Sequence, residues 1–252
     1  MKLIPYDTDL SGMDCHLHSR FSPDANGCGA DEPQRIVDAV RERGLRGFIV
    51  TDHIDVGHWL DYPPIDFDKY FSAWEKVKKA NPDLTIYIGL EVGFEAHTAE
   101  QSYAIINDLP FEYIINSVHY WHPNEQFRNG KHNTFAAYLE CVKASLDAPY
   151  EFSTIGHLGF PERYAPSKDY VMDYQTFKPF MDEIIDKAIA RKVRFEENTN
   201  AGGEMRLPRA DFLKAYKQKG GIKPMLGSDA HVSATIGQHF AEAQKFLDEI
   251  FD

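Results

Sequence analysis

Two kinds of segment alternate along the chain. Short, mostly apolar and often β-branched runs occupy residues 13–17, 47–51, 85–90, 113–118, 152–156, 193–198 and 223–227. Runs of that length and composition predict strands buried on both faces of a parallel sheet. The intervening segments 31–43, 67–80, 98–108, 134–147, 174–191, 209–219 and 236–251 predict helices. The first has Pro33 near its start and Gly44 just past its end, and Asn81-Pro82 stops the second. Seven strand–helix units follow one another with no linker, repeat or low-complexity stretch between them. Such alternation implies a parallel sheet with right-handed crossovers. Spacing alone does not decide between an open, doubly wound sheet and a closed barrel.

The polar residues decide it. The first predicted strand runs into His16-Leu17-His18, the second into Thr51-Asp52-His53, the third into Glu91, the fourth into His119, the fifth into His157 and the seventh into Asp229-Ala230-His231. The sixth has no clear ligand, though it carries Glu196 and Asn198. In parallel α/β folds chemistry gathers at the C-terminal ends of strands. Groups from six strands converge on one point only if the sheet closes, so a barrel is expected. Imidazole and carboxylate suit Zn, Mn and Fe. His-x-His on a strand puts both rings on one side, because side chains alternate with period two. A carboxylate such as Glu91 can bridge two ions. His16, His18, His53, His119, His157 and His231 with Asp24, Glu91 and Asp229 make nine ligands, which suits two or three divalent transition metal ions. His97, His132 and His239 fall in helical or loop stretches and read as structural, whereas His58 and His122 follow strand ends without matching a motif. Cys15, between Asp14 and His16, reads as a small buried residue facing away from the cluster.

Composition narrows the picture. At 252 residues and 43% hydrophobic, the chain can build a sizeable core. A net charge of -12 with no basic face argues against a nucleic-acid partner, although bound cations can reverse the field within one pocket. No apolar run is long enough to span a membrane, and the first residues have no apolar stretch of the secretory kind. Three scattered cysteines, Cys15, Cys28 and Cys141, do not form a disulfide framework. A cytoplasmic protein is expected.

Taken in order, Asp14-Cys15-His16-Leu17-His18-Ser19 with Ser22-Pro23-Asp24, Thr51-Asp52-His53, Gly89-Leu90-Glu91-Val92-Gly93, Ser117-Val118-His119, Gly156-His157-Leu158 and Gly227-Ser228-Asp229-Ala230-His231 resemble the PHP (polymerase and histidinol phosphatase) superfamily. Arg163-Tyr164 after the Gly-His-Leu stretch, and Glu197-Asn198-Thr199-Asn200 with Arg206 following, look closest to its stand-alone histidinol-phosphatase branch. Asp52, where that branch more often has Glu, and Gly202-Gly203-Glu204-Met205 before Arg206 are departures. The resemblance implies one distorted (β/α)7 TIM-like barrel domain over residues 1–252 with a trinuclear metal centre at the C-terminal strand ends. It implies His16, His18, Glu91 and Asp229 on a first ion. Glu91 would bridge to a second ion with His119 and His157, and Asp24, His53 and His231 would hold a third.

These residues lead to a metal-dependent phosphoesterase acting on a small phosphate monoester, foremost L-histidinol phosphate. A hydroxide generated between two ions would attack phosphorus, with Glu91, Asp229 and His231 as the catalytic set. Arg163 and Arg206 are the candidates for phosphate contact, because guanidinium matches phosphate geometry. Asp52, His58 and His122 are candidates for the general acid. The competing readings are a phosphodiesterase or nuclease of the same superfamily, a metal-binding regulatory domain without catalysis, and a deaminase-type amidohydrolase barrel. A nuclease calls for a basic groove, loss of catalysis for gaps among the ligands, and an amidohydrolase has no need of Glu91, His119, His157 and His231 together with Asp24.

Overall fold

The computed structural model of the chain describes residues 2–25, 31–57, 64–119, 127–128, 130–200 and 206–252. Its strands are β1 (Met13–Leu17), β2 (Gly47–Val50), β3 (His53–Ile54), β4 (Thr85–Gly93), β5 (Tyr113–Ser117), β6 (Thr154–Ile155), β7 (Arg194–Asn198) and β8 (Met225–Gly227). Helices α1 (Pro33–Glu42), α2 (Phe67–Ala80), α3 (Ala99–Ile106), α4 (Lys131–Ser145), α5 (Lys178–Arg191), α6 (Ala210–Gln218) and α7 (Phe240–Phe251) fall between and after them. Every strand pairing is parallel, in the order β1-β2-β4-β5-β6-β7-β8. The short β3 resumes the course of β2 and pairs with β4 at His53–Glu91. A seam closes the sheet: Asp229 N donates to His16 O at 2.7 Å, His18 N donates to Ala230 O at 2.8 Å, and Leu17 bridges Ala230 in parallel. The result is the nearly closed seven-stranded barrel that converging ligands require.

Alternation along the strands divides the apolar residues into two groups. Phe48, Val50, Ile86, Ile88, Leu90, Ile114, Ile155, Phe195 and Leu226 face outward and pack with the helices, among them Ile36 and Val37 of α1, Trp74 of α2 and Ile184 and Ile185 of α5. Inside, Met13, Cys15, Ile49, Tyr113, Ile115 and Met225 form a smaller group with Leu10. The segment before β1 is tied to the barrel by Arg194, which donates to Tyr6 O at 2.6 Å and Thr8 O at 2.7 Å. The N-terminal end of the barrel is therefore filled, and the C-terminal end carries the polar groups.

Two helices begin four residues later than the sequence pattern predicts. The segment from residue 174 enters α5 at Lys178, with a proline in the first turn where its missing N–H costs nothing. Tyr174 instead gives its N–H to Asp211 Oδ2 at 2.7 Å and its hydroxyl to Asp182 Oδ1 at 2.6 Å. Before α7, Gly237 and His239 both take left-handed backbone conformations, φ +65° and +58°, which delay the helix to Phe240. Among the described residues no helix is long and apolar enough to cross a membrane, and Cys15 and Cys141 are free thiols.

Candidate metal centre

Glu91 sits in the last third of β4, the longest strand, where Tyr87, Gly89, Glu91 and Gly93 alternate with the outward-facing Ile88, Leu90 and Val92. Its carboxylate is fully buried. Oε2 lies 3.0 Å from His16 Nε2 and 3.2 Å from His53 Nδ1, while Oε1 lies 3.1 Å from His119 Nε2 and 2.8 Å from His157 Nε2. Four imidazoles from four strand ends thus meet one carboxylate, and Ser117 Oγ adds a 2.6 Å donation to Oε1.

Local backbone features bring them there. The β1–β2 register shifts between Asp14 and Leu17, as at a bulge, and a bulge re-aims side chains. Cys15 can then pack with the inner apolar group while the next residue, His16, reaches Glu91. Gly227 of β8 stands where a Cβ would come within 2.1 Å of Glu196 Oε1 and 2.6 Å of His16 Cβ, so a side chain there would occupy the space these two need. Asp229 takes a left-handed conformation, φ +50°, immediately after β8.

The nine residues fall into three groups of ligand atoms, and His53 and His119 also meet Asp55 in a fourth. His16, His18, Glu91 and Asp229 come together, with Asp229 Oδ1 3.3 Å from His18 Nε2 and 3.7 Å from His16 Nε2. Glu91, His119 and His157 form the second. In the third, Asp24 Oδ2 lies 2.8 Å from His231 Nε2 and 3.8 Å from His53 Nε2. His18 links it to the first, its ring nearly parallel to those of both His53 and His231, with centroids 4.3 and 4.2 Å away. All nine residues singled out in the sequence are therefore gathered in one place.

The donor set suits divalent cations. His16 Nε2 lies 3.1 Å from His18 Nε2, and His119 Nε2 lies 3.3 Å from His157 Nε2. Bare imidazole nitrogens that close repel unless a proton or a cation lies between them. His18 Nδ1 and His157 Nδ1 are buried with no hydrogen-bond partner. The charges agree. Burial opposes charge on His16 and His119, but Glu196, Glu91 and Asp229 around His16, and Asp55 and Glu91 around His119, hold both well above the usual histidine range. Burial opposes charge on His53 too, yet Glu91 and Asp55 raise it to about 9. Burial together with the charges of His231 and His53 pushes His18 down to about 3. Despite burial, Glu91 and Asp229 stay well below the usual carboxylate range because of the histidines beside them. The carboxylates thus demand positive charge, and divalent ions would displace the protons that otherwise supply it.

A second layer of carboxylates and amides, not assigned a role by the sequence reading, holds the ligands. Glu196 Oε1 lies 2.7 Å from His16 Nδ1 and accepts from Asn198 Nδ2 at 3.0 Å, while Oε2 accepts from His157 N at 2.6 Å. Asp55 Oδ1 lies 2.7 Å from His119 Nδ1. Asn200 Nδ2 donates to Asp229 Oδ2 at 3.2 Å. The sequence did contain a signal for these residues. Asp55 stands two positions after His53, and Glu196 and Asn198 alternate along one strand, so each pair shares a face.

Of the two arginines expected at the phosphate, one is beside the cluster. Arg163, in the short 3₁₀ turn Phe160–Tyr164 after β6, donates to Asp229 Oδ2 at 3.1 Å and Asn198 Oδ1 at 2.6 Å, and its Nε is buried without a partner. Arg206 is directed elsewhere. Its Nη1 lies 3.3 Å from Glu197 Oε1 and its guanidinium stands 4.7 Å from the ring centre of Phe246 in α7. The reason lies in β7, where Glu196 points into the barrel and Glu197, its neighbour, points out and draws Arg206 with it. Asp52, a candidate general acid, is also turned from the cluster. It is fully buried and accepts from Ser19 N at 2.5 Å and Ser19 Oγ at 2.6 Å. Asp52 therefore anchors the turn leading to Asp24. His58, His122, Cys28 and residues 202–205 lie outside the described residues.

A closed parallel barrel that presents imidazoles and carboxylates around one shared glutamate at its C-terminal mouth has the architecture of a metal-dependent hydrolase. The chain belongs to the PHP domain family, whose sequence model matches residues 14–200. It is 26% identical over 249 residues to a probable histidinol-phosphatase of Clostridium acetobutylicum, covering 94% of this chain and 92% of that protein. It is 25% identical over 243 residues to the histidinol-phosphatase of Lactococcus lactis, covering 89% and 86%. In three dimensions it resembles the histidinol phosphate phosphatase of Lactococcus lactis, solved with zinc, L-histidinol and phosphate, with a TM-score of 0.82, 22% identity and coverage of 95% and 94%.

Proposed function

We propose that the chain is a single-domain, metal-dependent phosphoric monoester hydrolase that converts L-histidinol phosphate and water to L-histidinol and phosphate. The observation that carries this reading is Glu91, whose two carboxylate oxygens serve two separate groups of imidazoles at the open end of the barrel. The substrate rests on relatives named histidinol-phosphatase that match along nearly their whole length.

Two or three divalent ions, of Zn, Mn or Fe, would supply positive charge for the phosphoryl oxygens and a water acidified toward neutrality. His16, His18, Glu91 and Asp229 would hold one, Glu91, His119 and His157 a second, and Asp24, His53 and His231 a third. The protein's own contribution is placement. Ser117 pins Oε1 of Glu91, and Glu196 and Asp55 hold His16 and His119 with Nε2 turned inward. Arg163 offers a guanidinium nitrogen that no protein group uses, and a guanidinium is suited to pairing with a phosphate oxygen. Phe160 packs 4.7 Å from His157 and 5.5 Å from His119, centroid to centroid, and so presents an apolar ring to that side of the site.

The test is phosphate release from a panel of monoesters, including L-histidinol phosphate, by protein reconstituted with each metal in turn. Metal-dependent release with L-histidinol phosphate preferred supports the reading. Release from other esters only replaces the substrate, and no release from any ester by metal-loaded protein refutes the activity.

A further inference from the structure

We infer that Asp55 is a positioning residue for the metal centre, which fixes the ring of His119 and ties the second group of ligands to the third. This rests on the metal-dependent reading above.

Asp55 follows β3 and is buried, at 6% exposure. Its Oδ1 lies 2.7 Å from His119 Nδ1 and its Oδ2 lies 3.4 Å from His53 Nδ1. A carboxylate only accepts, so Nδ1 of His119 donates to Asp55, and Nε2 is the nitrogen left facing Glu91 and His157, where it would take a metal in place of its proton. His53 and His119 stand in the third and second of the ligand sets proposed above, and Asp55 lies close enough to both for the three to form a further cluster of their own.

The barrel makes room for this contact. At Gly93 on β4, a Cβ would stand 1.8 Å from Asp55 Oδ1. β3 pairs with β4 from His53–Glu91 to Ile54–Val92, which brings Asp55 beside Gly93 in the next step of the register. Glu196 makes the equivalent contact on the other side, 2.7 Å from His16 Nδ1. Two of the four imidazoles around Glu91, His16 and His119, are thus each held from behind by a carboxylate, an arrangement known to orient metal-bound histidine and to raise its basicity. Glu196 also touches the second group, but only through the backbone N–H of His157, whereas Asp55 faces the imidazoles of two groups.

The experiment compares wild type, Asp55→Ala and Asp55→Asn by competition for Zn(II) with a chelator and by the rise in Tm when Zn(II) is added to metal-free protein. Asp55→Ala should bind at least one equivalent of Zn(II) ten- to hundredfold more weakly and show a smaller metal-dependent rise in Tm. Asp55→Asn, whose amide oxygen accepts the same Nδ1 proton, should recover part of both. A general loss of stability would instead lower metal-free and loaded Tm together and leave the rise intact, and that result overturns the inference. So does Asp55→Asn behaving like Asp55→Ala, or Asp55→Ala retaining wild-type affinity. Wild type that binds no Zn(II) would refute the metal-dependent reading itself, which separates the two failures.

Discussion

Arg163 Nη1 lies 3.1 Å from Asp229 Oδ2, the oxygen turned away from His18. The guanidinium is therefore anchored to a ligand of the first group and leaves its Nε without a protein partner. Arg163→Ala should lower kcat/KM by about tenfold to a hundredfold, the equivalent of one charge-assisted hydrogen bond of roughly 1.5–3 kcal/mol. The loss should be similar for every phosphate monoester, because the contact is to the group they share. Steady-state kinetics on several esters, with metal content measured alongside, checks it. A loss confined to one ester would make Arg163 a reader of the alcohol.

Arg206 provides the contrast. Because it pairs with Glu197 and packs on Phe246, Arg206→Ala should leave turnover per folded molecule within about twofold. It should cost stability of about 1–3 kcal/mol, the penalty for leaving a buried acceptor without its partner. Thermal unfolding and kinetics on the same sample separate this outcome from a role at the phosphate, which would reverse the two effects.

Glu91→Gln should release metal and activity together. An outer carboxylate behind a ligand is worth about ten- to hundredfold in affinity or activity, and a carboxylate shared by four imidazoles should cost at least that much. Elemental analysis and turnover after reconstitution, with circular dichroism to confirm the fold, provide the check. Near-normal turnover would make Glu91 a structural residue.

Glu197 predicts a pH dependence of stability. Burial raises its carboxyl from the ordinary 4.5 to about 8, with Arg206 opposing. The folded protein thus keeps a proton that the unfolded chain releases, and this group's contribution to stability falls as pH rises from about 4.5 to about 8. Glu197→Gln does not titrate, so its Tm relative to wild type should climb across that window and level off above it. A difference that stays constant with pH would mean that Glu197 is ionised throughout.

Seven of the strands, their parallel closure and the seven helices were legible because the chain writes a parallel barrel twice, once in apolar strands and again in polar residues at their ends, whereas the two-residue β3 was not. His16, His18 and Asp229 identified themselves through motif and position alone. Asp55 and Glu196 did not, since a carboxylate acquires a role behind a histidine only when distant strands register against each other. The direction of Arg206 was hidden for a related reason, because it depends on Glu197 facing out of the barrel. The late start of α5 depends on contacts from Tyr174 to Asp211 and Asp182, which no local pattern announces.

Gly227→Ala tests the packing that joins the seam to the site. Its new Cβ would meet Glu196 Oε1 and the Cβ of His16, neither of which can withdraw without disturbing a ligand. Overpacking of this kind costs about 1–3 kcal/mol, which lowers Tm by roughly 2–4 °C for each 1 kcal/mol in a chain of this size. Metal affinity should fall with it. A variant with unchanged Tm and metal content would show that the barrel can spread at β8 without cost.

The seam between β1 and β8 also sets the order in which the centre can be assembled. Ser228 reaches back 212 positions to the carbonyl of His16, and the neighbouring Asp229 completes the first group of ligands. During synthesis the corner formed by Glu91, His119 and His157 is present long before its counterpart, because the residues that complete the first and third groups emerge last. Contacts of such long sequence separation carry a large loop-closure cost and form slowly. Full occupation of the site would thereby report that the ring has shut, since a chain lacking β8 and the residues after it loses Asp229 from the first group and His231 from the third. Metal uptake followed during refolding would time the closing of the barrel.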